Sequence, residues 1–219
     1  MAKISKEVKQ NILRVAKRMD EKGLVNAYEG NISVKKDGLL YITPSGQNKA
    51  WLTEEMIAVI DENGKQIDGT FKYSSELPMH IAAYGKRKKG NINAVIHCHS
   101  THLTCYAICR KSLECTYYPE HVMAFDKIPV APYGQPGTDA IHEGIGDLFE
   151  YGDIVLLANH GVLAVGETLE DALATVEAAE HSAQIYSVCQ NIGDPVNIVG
   201  EELEKLKEWH QDRVNQRYR

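Results

Sequence analysis

The chain has few prolines, no closely paired cysteines and no apolar run of membrane length, and each shortage excludes something. Seven prolines and 17 glycines are scattered singly through 219 residues. There is thus no Pro/Ser-rich linker, no low-complexity stretch and no internal repeat, and one continuous domain over residues 1–219 is expected. The apolar run at residues 154–166 is 13 positions long and includes Asn159 and His160. A membrane span needs roughly 20 apolar residues, so no membrane partner is expected. The N-terminal segment lacks the apolar core of a signal peptide. Five cysteines, an odd number with no C-x-x-C pair, suit a reducing compartment, and a cytoplasmic protein is expected. Basic excess is missing too: 24 Lys+Arg face 30 Asp+Glu, for a net charge of -6. That argues against a nucleic-acid partner, which calls for a basic stripe. What is present, 43% hydrophobic and 25% charged residues, is the composition of a globular chain and excludes wholesale disorder.

The spacing of Val8, Ile12, Val15 and Met19 predicts a helix over residues 5–22, stopped by Gly23. Residues 31–34 and 39–43 read as strands on either side of the turn dipeptide Asp37-Gly38. Thr53, Glu54 and Glu55 begin a single helical turn, and residues 57–60 form a strand closed by a turn at 61–64. Ser74 or Ser75 caps a helix to about residue 85, residues 94–97 are an apolar strand, and 101–109 a helix. A short strand at 128–131 precedes a helix capped by Thr138 and ending at Tyr151. Residues 154–158 and 162–165 flank Asn159-His160-Gly161 as a hairpin buried on both faces. Thr168-x-x-Asp171 has the form of a capping box for a helix to about residue 188, with Leu169, Leu173, Val176 and Ala183 inward. Residues 201–218 form a last, charged helix. Hairpins outnumber strand–helix–strand crossovers, so the expected class is α/β with a mostly antiparallel central sheet flanked by helices.

Nine histidines are unevenly placed. His97 and His99 end the apolar strand as H-x-H, and alternate residues of an extended chain face one side, so both imidazoles can converge. His160 sits at the hairpin tip. Three neutral imidazoles with an open fourth position are the arrangement of a catalytic zinc site. His102 competes as a ligand, and each histidine alone also suits a turn or a core. Glu76, just inside its helix, reads either as a helix-dipole carboxylate or as a general base beside a metal. Gly30-Asn31, Ser45-Gly46 and Ser74-Ser75 offer short hydroxyls, amides and glycine N–H groups. These suit a small phosphate at a helix N-terminus and equally suit turns. Cys98, Cys105, Cys109 and Cys115 do not pair at zinc-ligand spacing and read as small hydrophobes.

Six segments carry more together than singly. They are Gly30-Asn31-Ile32-Ser33, Thr43-Pro44-Ser45-Gly46, Ser74-Ser75-Glu76-Leu77-Pro78-Met79-His80, Val95-Ile96-His97-Cys98-His99-Ser100, Ala131-Pro132-Tyr133-Gly134 with Gly137-Thr138, and Leu156-Leu157-Ala158-Asn159-His160-Gly161. In this order, over most of the chain, the sequence resembles the zinc-dependent class II aldolase/epimerase family. The resemblance implies a single class II aldolase-like domain, a mostly antiparallel sheet between helix layers, and a homotetramer with active sites at subunit interfaces. It implies one Zn²⁺ per subunit on His97, His99 and His160, with Glu76 as the catalytic carboxylate. Tyr118 is implied as a tyrosine acid, with Tyr117 one residue away. Gly30, Asn31, Ser45, Gly46, Ser74 and Ser75 fall on the segments that hold the substrate phosphate. The implied activity is reversible cleavage of a phosphorylated ketose to dihydroxyacetone phosphate and an aldehyde through a zinc-stabilised enediolate. Tyr118 would take the C4 hydroxyl proton and Glu76 the proton of the three-carbon fragment.

Glu76 in place of aspartate, and 61 positions from His99 to His160, favour an aldolase over the 4-epimerase branch. Sugar-acid phosphate decarboxylases and methylthioribulose-phosphate dehydratases share the ligands; adducin head domains lack them. Two departures from the aldolase branch stand out. Pro136 replaces an aromatic residue on the aldehyde side, and Pro119-Glu120-His121 is polar where that branch is apolar. Trp209, His210 and Tyr218 of the last helix are candidates to close the site.

Overall fold

The computed structural model describes residues 3–85, 91–135, 138, 140, 143–149 and 152–217. In chain order its elements are α1 (Lys6–Glu21), β1 (Asn31–Lys36), β2 (Leu39–Ile42), two single 3-10 turns (Lys49–Trp51 and Glu54–Met56), β3 (Ala58–Ile60) and β4 (Gln66–Asp68). They continue with α2 (Leu77–Tyr84), β5 (Ala94–Cys98), α3 (Thr101–Ile108), α4 (Pro119–Phe125), β6 (Val130–Ala131), α5 (Ile145–Leu148), β7 (Ile154–Leu157), β8 (Gly161–Gly166), α6 (Leu169–Ile192) and α7 (Gly200–Arg217). The strands make one eight-stranded sheet in the order β4-β3-β2-β1-β5-β8-β7-β6. Every neighbouring pair is antiparallel except β6 with β7, so the expected α/β fold with a mostly antiparallel sheet is the fold observed.

Strand β5 sits between β1 and β8 and is buried on both faces, which is why Ala94, Val95 and Ile96 read as a continuous apolar run ahead of His97. Ala94, Ile96 and Cys98 enter the larger core with residues of α1, α3 and α6. Val95 enters a smaller core with Met79 and Ala83 of α2 and Ile145 of α5. By the two-residue period His97 follows Val95, so the strand delivers its imidazole to the α2 side of the sheet. On the far side, Ser5 caps α1 by accepting from the Val8 N–H, and Val8, Ile12, Val15, Ala16 and Met19 form its buried stripe. Burying each of its large side chains is worth roughly 1.5–3 kcal/mol. The capping box of Thr168 and Asp171 opens α6 as the sequence indicates.

Differences from the sequence reading lie mainly in the short elements. The Thr138 hydroxyl donates to the Gln135 carbonyl at 2.8 Å, and of the helix expected from Thr138 to Tyr151 the described residues show an α-helix over Ile145–Leu148. Its expected end, Tyr151, lies outside the described residues, as do Pro136, Gly137 and Tyr218. Helix α4 and strand β4 are additions; at seven and three residues they are too short to show a period. Among the described residues no helix is long and apolar enough to cross a membrane. The cysteines are all free, with Cys98 and Cys115 buried and Cys105 and Cys109 exposed.

Candidate metal centre and active site

Register places the histidines. His97 pairs with Leu163 and Cys98 with Val162 across β5 and β8, so the β7–β8 hairpin tip lies over the end of β5. Gly161 makes that approach possible. A Cβ there would stand 2.6 Å from both the Cys98 carbonyl oxygen and His99 Cδ2, closer than any side chain tolerates. The rings of His97, His99 and His160 end with centroids 4.7 to 4.8 Å apart, and one nitrogen from each lies within 4.8 Å of the others.

At His97 the tautomer and charge are set as a ligand requires. His97 Nδ1–H donates to the Val162 carbonyl at 2.9 Å, which leaves Nε2 bare and 2.9 Å from His99 Nε2. Burial, and then the neighbouring His160 and His99, hold His97 well below the usual imidazole range; burial also lowers His160. Three imidazole nitrogens converging on one point fit a divalent cation, and an all-imidazole donor set suits zinc among common metals. His102 is not among these nitrogens. Its Nδ1 meets Glu180 Oε1 at 2.7 Å, while Glu180 accepts from the His102 and Leu103 backbone N–H groups at 2.9 and 3.0 Å. That carboxylate therefore caps α3 and holds the chain just beyond His99.

Glu76 is not inside its helix, and neither Ser74 nor Ser75 is the cap residue. Glu76 itself occupies the N-cap, with no side-chain capping bond. Ser74 Oγ accepts from its N–H at 3.2 Å. The carboxylate is thereby free to turn toward the histidines. Oε1 lies 3.3 Å from His160 Nε2 and Oε2 lies 3.6 Å from His97 Nε2. Asn31 Nδ2 donates to Oε2 at 2.5 Å. Gly30, with φ +74°, brings β1 in beside β5; a Cβ there would meet Val25 Cγ1 at 2.5 Å.

All six residues singled out for phosphate, Gly30, Asn31, Ser45, Gly46, Ser74 and Ser75, line one cavity of about 220 Å³ together with Glu76, His99 and His160. Three neighbours carried no sequence signal. Tyr28 and Glu29 line the same cavity, and Glu29 Oε1 lies 3.4 Å from His99 Nδ1. Lys49 is 1% exposed and donates to the Gln47 carbonyl at 2.7 Å. Burial pulls its ammonium down to about 8, opposed by the Glu76 charge.

Other candidates lie elsewhere in the chain. Tyr118 packs against the larger core and does not line the cavity. Tyr117 stacks near Tyr186, with ring centroids 5.6 Å apart. His121 is fully buried beside Phe125. His210 Nδ1–H donates to the Met123 carbonyl at 3.2 Å, fixing α7 on α4, and Trp209 is exposed. Neither lines the histidine cavity.

An antiparallel sheet that brings a histidine trio and a carboxylate to one end of its central strand matches a known class. The family described as Class II Aldolase and Adducin N-terminal domain matches residues 10–187, and the chain belongs to it. Among curated relatives, L-fuculose phosphate aldolase of Escherichia coli K12 is 36% identical over 204 residues, covering 90% of this chain and 93% of that one. The L-fuculose phosphate aldolase of Methanococcus vannielii is 39% identical over 159 residues, covering 73% and 84%. A solved L-fuculose 1-phosphate aldolase superposes with a TM-score of 0.84 at 35% identity, covering 95% of this chain and 98% of that one.

Proposed function

We propose that this chain is a zinc-dependent class II aldolase that reversibly cleaves a phosphorylated ketose of the L-fuculose 1-phosphate type to dihydroxyacetone phosphate and an aldehyde. The observation that carries the reading is the shared cavity, where Glu76, two of the histidines and all six phosphate candidates meet. His97, His99 and His160 would hold a divalent ion, which would supply Lewis-acid stabilisation of negative charge developing beside the substrate ketone. The chain's own residues do the rest. Ser45, Ser74 and Ser75 hydroxyls and the Gly30, Asn31 and Gly46 backbone hold the phosphate next to the start of α2. Glu76, through the oxygen nearer His160, moves the proton of the three-carbon fragment. Lys49, beneath the same loop, adds positive charge close to the anionic substrate.

Tyr118 does not line the cavity of its own subunit. In the proposed homotetramer it supplies the acid for the aldehyde-side hydroxyl from a neighbouring copy. A cytoplasmic location agrees with the free cysteines. The test is a panel of phosphorylated ketoses and sugar acids offered to the zinc-loaded protein. Release of dihydroxyacetone phosphate supports the reading. An epimer, carbon dioxide or loss of water as the sole product would replace it with the corresponding branch of the family.

A further inference from the structure

Behind Glu76 runs a row of polar side chains to which the proposed reaction gives no part beyond the phosphate contact of the Asn31 backbone. Asn31 Nδ2 donates to Glu76 Oε2 at 2.5 Å, and the Asn31 carbonyl oxygen faces His80 Nε2 in a short contact. His80 Nδ1 lies 2.6 Å from Ser33 Oγ, and Ser33 Oγ lies 2.8 Å from the Tyr84 hydroxyl. Asn31, Ser33 and His80 are 4%, 0% and 0% exposed, so none of these three can turn to solvent for a partner. The row links β1 to α2: Asn31 and Ser33 are alternate residues on one face of the strand, and His80 and Tyr84 are one turn apart on the helix.

Chemistry fixes the direction of every bond. An ionised carboxylate only accepts, so Asn31 presents its NH₂ to Glu76 and its carbonyl to His80. His80 Nε2 must then carry a hydrogen. Burial pulls the His80 imidazole down to about 3, so the ring is neutral and Nδ1 is bare. Ser33 donates to it, and Tyr84 donates to Ser33. Reversing the row turns the Asn31 carbonyl against the carboxylate.

We infer that His80 is a positioning residue. Its Nε2–H locks the Asn31 amide so that Glu76 Oε2 is anchored and Oε1, beside His160, is the oxygen that exchanges protons with substrate. Oε2 keeps its Asn31 bond whether or not Oε1 carries a proton, so the base returns to the same place after each transfer. The inference rests on the reading of Glu76 as the base, and the experiment separates the two.

The first measurement needs no substrate. Long-range ¹H–¹⁵N spectra of zinc-loaded, ¹⁵N-histidine-labelled protein, with His80 assigned through His80→Gln, should show the Nε2–H tautomer unchanged between about pH 6 and 9. An Nδ1–H tautomer, or a mixture of both, overturns the inference. The second compares His80→Phe, which fills the space without a donor, with His80→Gln, whose side-chain amide can donate near the Nε2 position. Loss of such supporting bonds typically costs about 10–100-fold, so His80→Phe should lower kcat by that much with KM and zinc content little changed. His80→Gln should recover most of the loss. Equal losses in the two variants would assign His80 to packing alone and overturn the inference. If His80→Phe does not fold, the tautomer decides. If the wild-type protein releases no dihydroxyacetone phosphate from any ketose, the proposed function fails while the tautomer result still stands or falls by itself.

Discussion

Arg110 Nε donates to Asn159 Oδ1 at 2.7 Å, and both residues sit in left-handed backbone, at φ +53° and +58°. The pair joins the end of α3 to the hairpin tip that carries His160. The Asn159 N–H also donates to the Ala107 carbonyl at 2.9 Å. The two ends of the metal cluster, His99 before α3 and His160 on the tip, are therefore tied through one helix. Asn159→Ala removes the side-chain bond and strains the backbone, since a left-handed residue other than Gly, Asn or Asp costs roughly 1–2 kcal/mol. Zinc affinity should fall by about 10-fold or more, as for other lost supporting bonds. Asn159→Gly relieves the strain and should lie between the wild type and Asn159→Ala in a competitive zinc titration. Unchanged affinity in both would mean that the tip holds His160 unaided.

The metal assignment has an internal control. His160→Ala takes one nitrogen from the trio, whereas His102→Ala takes an imidazole that is already held by Glu180. Metal analysis of purified protein should find about one equivalent of zinc per chain in the wild type and in His102→Ala, and far less in His160→Ala. Equal metal in all three would disprove the trio.

Ser75 is exposed on the cavity wall and precedes the α2 N-terminus. Ser75→Asp puts a negative charge where the phosphate is proposed to bind. KM for a phosphorylated ketose should rise by about 10-fold or more, equivalent to at least ~1.4 kcal/mol, with zinc content unchanged. An unaltered KM moves the phosphate elsewhere.

Acid stability gives a prediction away from the site. His121 is fully buried; the Leu113 carbonyl is near, yet neither ring nitrogen makes a hydrogen bond of normal geometry. Burial holds its imidazole down at about 4, against an ordinary 6.5, although Asp126 and Glu114 pull it up. A folded-state value below the unfolded one means that unfolding takes up a proton between these limits. The stability is complete above 6.5 and is lost as pH falls toward 4. His121→Phe should reduce the slope of stability against pH in that window by up to about 1.4 kcal/mol per unit, read from urea melts. A parallel slope in the variant would show that His121 titrates normally.

How far the sequence carried the site depended on distance along the chain. His97 and His99 were legible because the extended chain that ends β5 at Cys98 keeps a two-residue period one step beyond the strand, and His160 because its hairpin is marked by apolar runs. The hydroxyl and glycine segments were legible as turns, and only the fold shows that they line one cavity. Lys49 was invisible: a lysine in a polar loop gives no sign that the fold will bury it. His80 stood within a quoted segment, yet its role depends on Asn31, 49 positions away, and on which end of an amide faces a carboxylate. Helix α4 escaped notice because seven residues hold no period. The Thr138 hydroxyl bonds back to the Gln135 carbonyl, a contact that a short side chain at the start of a helix and one in a turn make equally well, so its residue type alone does not separate the two.

The position of Tyr118 leads to the last prediction. It packs on the larger core of its own chain and does not line the cavity that holds Glu76, so its proposed part in the reaction is assigned to a neighbouring copy. Glu76→Gln keeps the shape of the base and removes its function. General acid–base groups contribute typically ~10²–10⁴-fold, and kcat should fall by about that much. Tyr118→Phe should impair cleavage similarly but leave solvent-deuterium exchange into dihydroxyacetone phosphate largely intact, because exchange needs no aldehyde. When the two inactive variants are unfolded and refolded together, some sites receive Glu76 from one chain and Tyr118 from its neighbour. Random mixing in a ring with one such contact per site restores both groups in about a quarter of the sites, so activity should return toward that fraction of the wild type. Activity that stays at the level of the separate variants after confirmed mixing would place Tyr118 outside the neighbouring site. Activity in the Tyr118→Phe variant equal to the wild type would remove it from the reaction, and Tyr117, one residue earlier, would be the next tyrosine to replace.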